Sequence, residues 1–203
     1  MDIIILLAIL VFSVVVHEVS HGVVAEKFGD PTARLAGRLT LNPLPHIDLF
    51  GSILLPLFLS LVNLVPLGAA KPVPVNYLNL RNPKRDMALV ALSGPGSNFL
   101  LALACSLPLR FGLFPAGSIG ADFLLLAVSI NLALGIFNLI PIPPLDGSKV
   151  LAGFLADRFL PMFASIERYG IILLILLIYF PIFQSGMIFL INFFLKLFLG
   201  AGY

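Results

Sequence analysis

Residues 3–25 read IIILLAILVFSVVVHEVSHGVVA. An apolar run of this length is what an α-helix needs to cross a bilayer, about 20 residues. Its end carries His17, Glu18 and His21, three ionisable side chains in a setting where such groups are costly and usually functional. On a helix, positions i and i+4 share one face. His17 and His21 can therefore bind one metal through imidazole nitrogens, and Glu18, beside the first ligand, can reach a water on that metal. The pattern points to zinc hydrolysis, in which the ion lowers the pKa of a water and Glu18 takes its proton. The competing reading is a polar cluster that packs helices, or a solvated helix end. No basic residue precedes the run and no small-residue cleavage site comes after it. It reads as a permanent span rather than a signal peptide.

The rest of the chain supports a membrane setting. Of 203 residues, 60% are hydrophobic and 11% charged, against about 25% charged in soluble domains. Mean hydropathy is +1.09. Further apolar runs fall at roughly 50–67, 87–109, 121–140, 169–183 and 186–200. The expected fold is an all-α polytopic membrane protein with five to six transmembrane segments, set in the lipid bilayer. The net charge of +2 comes from basic residues in the loops, without an aromatic-and-basic patch that would read nucleic acid. The single cysteine, Cys105, lies inside an apolar run and reads as a buried structural thiol.

Between the runs, Pro31–Pro45 (PTARLAGRLTLNPLP) alternates Leu and Thr with polar residues, which predicts one or two short strands. Segment 50–67 contains Pro56, Asn63 and Pro66 and reads as re-entrant. Segment 68–86 is rich in Pro and Asn and reads as an extended loop. Residues 147–169 mix Lys149, Asp157, Arg158, Glu167 and Arg168 with apolar positions, as an interfacial amphipathic helix does.

A catalytic zinc site needs a third protein ligand and one open position. The candidate lies in NLIPIPPLDG, residues 138–147. Three prolines prevent ordinary helix there, so the Asp146 carboxylate can be presented sideways, and Gly147 allows a turn without steric cost. By composition alone, a helix N-cap for the segment 147–158 is the alternative reading of Asp146.

HEVSH in an apolar span, with NLIPIPPLDG after a later span, resembles the site-2 protease family of intramembrane zinc metalloproteases. The small-residue stretch Ser93-Gly94-Pro95-Gly96-Ser97-Asn98 looks like a third motif of that family. The resemblance covers roughly residues 10–150. It implies one Zn2+ per chain held by His17, His21 and Asp146, Glu18 as acid/base, and Asn138 as a helper of the substrate carbonyl or oxyanion. It implies hydrolysis of peptide bonds within or next to transmembrane helices, with single-span membrane proteins as substrates. Residues 1–150 would form the metalloprotease core, and residues 151–203 an interfacial helix and a C-terminal transmembrane hairpin. The layout looks like a minimal form without a PDZ or CBS domain.

Charge supplies a side. If the ligands meet, the ends of runs 3–25 and 121–140 share a side, and loops 26–49, 68–86 and 141–168 lie there together. These loops hold Lys27, Arg34, Arg38, Lys71, Arg81, Lys84, Arg85, Lys149, Arg158 and Arg168, ten of the twelve basic residues. Positive loops favour the cytoplasm. The active site is therefore expected toward the cytoplasmic side of the cell membrane.

Weaker candidates remain. His46 is either a partner near the site or a loop histidine, and Asp48 a cap of the segment after it. Asn131 is a buried amide that needs a partner, and Lys196 snorkels to the interface. A metal transporter would use the same histidines and acid, but would show further polar groups along successive helices. The sequence does not fix the oligomeric state.

Overall fold

The computed structural model describes residues 3–48, 70–159 and 169–200. Seven α-helices form within them: α1 (Ile3–Lys27), α2 (Thr32–Leu35), α3 (Pro83–Arg110), α4 (Ile119–Asn138), α5 (Asp146–Phe154), α6 (Gly170–Ile178) and α7 (Pro181–Leu199). Among the described residues, α1, α3, α4 and α7 are long and apolar enough to cross a membrane. The re-entrant segment expected at 50–67 lies outside the described residues. The run expected at 169–183 is instead the nine-residue α6, which ends before Pro181 opens α7. At 1.5 Å per residue α6 is about 14 Å long, half of a bilayer core. Proline is well placed at the start of a helix and disruptive inside one, so Pro181 divides two helices where hydropathy alone reads one run.

Local signals set the long helices. Pro83 opens α3, and the Asp86 carboxylate reaches back to accept from the Asn82 backbone N–H at 2.7 Å. The Ser118 hydroxyl caps α4 by accepting from Ala121 N at 3.2 Å. α3 contains Pro95 and Pro108, as membrane helices tolerate.

α1 and α3 run antiparallel, with His21 against Val90 and Ser13 against Asn98. α4 runs back along α3 and parallel to α1. Ala102 of α3 packs with Val128, Leu132 and Ile136 of α4, under Met187, Ile191 and Phe194 of α7. Gly135 lets α4 approach closely, since a Cβ there would stand 3.0 Å from the Phe99 ring. Many large apolar side chains, including Ile4, Leu100, Leu107, Ile182 and Phe189, face outward, as a lipid-facing surface requires. At the end of the bundle away from the C-terminus of α1, Arg110 donates to Leu197 O and Phe198 O. Lys196, in the last turn of α7, therefore joins Arg110 at that end.

The strands expected over 31–45 are absent; among the described residues there is no strand. Asp30 accepts from the Thr32 backbone N–H and hydroxyl, a local turn that leads through Pro31 into α2 instead. Gly37 (φ 66°) then turns the chain, and Leu44–His46 forms a 3-10 turn. The interfacial helix expected over 147–169 is shorter: α5 ends at Phe154, and a 3-10 turn covers Asp157–Phe159. Residues 160–168 of that expectation lie outside the described residues.

Candidate metal centre

His17 and His21 stand on the face of α1 that meets α3, and both are buried. Asp146 is the first residue of α5 and buried with them. Its Oδ2 lies 3.0 Å from His17 Nε2 and 3.2 Å from His21 Nε2. One ligand atom from each of the three falls within 4.8 Å of the others. Asp146 is thus no simple N-cap; its carboxylate turns away from its own helix and toward α1. Burial pushes this carboxyl up, but hydrogen bonds and charge attraction from the two imidazoles outweigh burial and hold it well below the usual carboxylate range. Its other oxygen faces Lys149 Nζ at 3.7 Å.

The chain bends to deliver this aspartate. Prolines 141, 143 and 144 stop α4 from continuing, and Gly147 lets the chain fold back on itself. A Cβ at Gly147 would stand 2.1 Å from Leu139 O. Gly153 rests on Ala88 of α3, where a Cβ would meet the alanine methyl at 2.5 Å.

The second nitrogen of each imidazole is held from behind. His21 Nδ1 lies 2.7 Å from Val90 O, and His17 Nδ1 lies 2.6 Å from Asn98 Oδ1. Both partners are acceptors, so both Nδ1 atoms carry a proton, which leaves the Nε2 atoms, facing Asp146, to supply lone pairs to a metal. Such outer partners are what orient metal-binding histidines. Gly94 of α3 leaves the space in front of the rings open: a Cβ would stand 2.4 Å from His21 Nε2 and 2.6 Å from His17 Nε2. Two histidines and one carboxylate, with their donor atoms converging, fit a catalytic zinc ion. A bound zinc ion supplies Lewis acidity and lowers the pKa of a water.

Glu18 is half-buried, and its Oε2 accepts from Val73 N at 2.8 Å. Val73 belongs to an extended strap, residues 70–76, that lies across α1. Gly22 gives the strap its seat: a Cβ there would meet Leu39, Ala33 and Val73 at 2.5–3.0 Å. Arg38 donates to Pro45 O, Lys71 O (2.8 Å) and Pro72 O (3.1 Å). The buried Asp30 accepts from Asn76 N (2.6 Å) and Asn79 Nδ2 (2.9 Å). Of the extended loop read over 68–86, residues 70–76 fit, Tyr77–Asn79 form a 3-10 turn, α3 begins at Pro83, and 68–69 lie outside the described residues. The strap's contact with Glu18 has no sequence signal, because the donor is a backbone N–H.

The other predicted residues separate. Asn138 ends α4 and is half-buried; its amide nitrogen donates to Leu134 O at 2.9 Å within the same helix. His46 is buried in the 3-10 turn, with Nε2 3.0 Å from Thr40 O, and is a loop histidine apart from the three-residue cluster. Asn131 Oδ1 accepts from Asn98 Nδ2 at 3.0 Å.

Comparison with known proteins agrees with this geometry. Residues 115–180 match the model of Peptidase family M50. The chain is 36% identical over 180 residues to "Putative zinc metalloprotease YwhC" of Bacillus subtilis, covering 85% of this chain and 79% of that protein. It is 31% identical over 173 residues to "Putative zinc metalloprotease Rip2" of Mycobacterium tuberculosis H37Rv, covering 83% and 64%. It is 24% identical over 155 residues to "Zinc metalloprotease MJ0392" of Methanocaldococcus jannaschii, covering 76% and 35%. No solved structure matches the chain significantly. Paired histidines on a membrane-length helix, a carboxylate brought to them by a proline-broken turn and 36% identity over most of both chains lead to one assignment: the chain belongs to peptidase family M50, the site-2 protease family of membrane zinc metalloproteases.

Proposed function

We propose that this protein hydrolyses peptide bonds within or next to transmembrane helices of membrane-protein substrates, single-span proteins among them. The observation that carries the reading is the convergence of His17 Nε2, His21 Nε2 and Asp146 Oδ2 on a helix apolar enough to cross a bilayer. His17, His21 and Asp146 hold the zinc ion. Glu18, one turn before His21, accepts the proton of the attacking water and returns it to the leaving nitrogen. Asn138 donates to the developing oxyanion once its amide leaves Leu134 O.

His21 lies six residues before the end of α1, a depth of about 9 Å along the helix. The loops at that end carry most of the basic residues, which supports a site opening toward the cytoplasm. Residues 1–150 serve as the catalytic core, and residues 151–203 as a C-terminal appendage.

Glu18→Gln tests the reading. The variant keeps its zinc and loses cleavage of a single-span substrate in proteoliposomes. Normal cleavage by Glu18→Gln would refute the assignment of the base.

A further inference from the structure

The two imidazoles are anchored differently. His21 Nδ1 faces Val90 O, a backbone carbonyl that can only accept. His17 Nδ1 faces Asn98 Oδ1, and a side-chain amide can turn over, presenting its NH2 instead. A turned amide would make His17 Nδ1 the acceptor. The proton would then sit on Nε2, where the lone pair for the metal is needed. Something must hold Asn98 one way round.

A buried network does so. Asn98 Nδ2 faces Asn131 Oδ1 at 3.0 Å and Ser13 O at 3.4 Å. Asn131 Nδ2 faces Ala127 O and Ser13 Oγ, both at 2.9 Å. Ala127 O and Ser13 O are backbone carbonyls and can only accept. The Ala127 contact therefore fixes which side of Asn131 is nitrogen, and Asn131 Oδ1 with Ser13 O fixes Asn98. Ser13, Asn98 and Asn131 are each at most 2% exposed, so no water competes for these groups. An unpaired amide at this depth would cost several kcal/mol at the upper end of transfer estimates.

We propose that Asn131 is a positioning residue for the metal site: through Asn98 it sets the tautomer of His17 and so the affinity for zinc. This rests on the reading of His17 as a zinc ligand. Asn131 bonds to Asn98, Ser13 and Ala127 and to none of the proposed ligands; it acts from α4, through α3, on α1.

The test is zinc affinity of the full chain in detergent, measured by competition with a chromophoric chelator. Asn131→Leu keeps the size and removes both polar groups. It is expected to weaken zinc binding about 10- to 100-fold, the range for outer-shell partners of metal ligands. Asn131→Asp, protonated in this apolar setting, offers one donor and one acceptor and is expected to restore affinity to within about threefold. Asn98→Asp accepts from His17 either way round. On that background Asn131→Leu is expected to cost less than about threefold. A merely structural role would cost the same on both backgrounds, and that equality would overturn the proposal. Wild-type affinity in Asn131→Leu would overturn it too. If Leu prevents folding, Asn131→Ala reads the same quantity. His17→Ala separates the two claims: it is expected to abolish tight zinc binding, and tight binding by it would sink the ligand assignment itself.

Discussion

Gly94→Ala should break the metal site while adding only one methyl group. The new Cβ would stand 2.4 Å from His21 Nε2, 2.5 Å from His21 Cε1 and 2.6 Å from His17 Nε2. Optimal separations are about 3.5 Å, so both rings must retreat by about 1 Å. Neither is free to do so, because Val90 O holds one and Asn98 Oδ1 the other. Overpacking of this kind costs about 1–3 kcal/mol. If the strain falls on the ligand geometry, zinc affinity drops about 5- to 150-fold, at one decade per ~1.4 kcal/mol. Gly96→Ala is the control. It lies two residues away on the same helix, and a Cβ there meets nothing within 4 Å. It should leave affinity unchanged and, by helix propensity, stabilise α3 by up to about 1 kcal/mol. The assay is chelator competition on the purified chain, with thermal unfolding in parallel. Equal zinc affinity in the two variants would refute the reasoning, since it would mean the rings are not confined as described.

The same kinds of contact predict two further outcomes. Gly147→Ala puts a Cβ 2.1 Å from Leu139 O and 2.5 Å from Ile140 O, both backbone atoms that cannot swing aside. It should destabilise by about 3 kcal/mol or more and lower the unfolding temperature, whereas Gly186→Ala, in open space, should not. Asp30 titrates low: burial raises its carboxyl, but hydrogen bonds from Thr32, Asn79 and Asn76 together lower it further. Its stabilisation is therefore present above the ordinary Asp value of 3.8 and is lost as pH falls through the lower folded value. Hydrogen exchange in residues 70–79 should accelerate in that acid range. Asp30→Asn should make exchange faster at neutral pH and flatten its acid dependence; an unchanged acid limb would contradict the role given to Asp30.

How much of the fold and the site was legible in the sequence depends on how far apart the partners lie. His17 and His21 share a face through four residues of one helix, so their pairing comes from helix geometry alone. Asp146 lies 129 residues from His17, and composition left the N-cap reading open beside the ligand; the resemblance favoured the ligand, and the structure sets its carboxylate beside the two imidazoles. The four long helices are readable from apolar length. The strands over 31–45 fail, because the alternation of Leu and Thr is outweighed by one local acceptor, Asp30, that turns the chain into α2. Asn131 reads from sequence as an amide needing a partner, yet nothing in sequence says that the partner is Asn98. Val73 is less legible still: it offers Glu18 only its backbone N–H, and every residue but proline has one.

These contacts also indicate where the energy of metal binding goes. α1 and α5 meet chiefly through His17, His21 and Asp146, whereas each packs extensively on α3. Both imidazoles face a single carboxylate oxygen of Asp146, Oδ2. On the proposed reading, a zinc ion held by His17, His21 and Asp146 would tie α1 to α5 and so close a ring of α1, α3 and α5. Part of its binding free energy is then folding free energy of the turn at 139–147, as in other sites whose ligands come from separate elements. The rigid half of the site, α1 with its anchors on α3, needs no metal to keep its geometry. On that reading the half that comes from the proline turn gains most from an ion, and Asp146 is the ligand it would fix most.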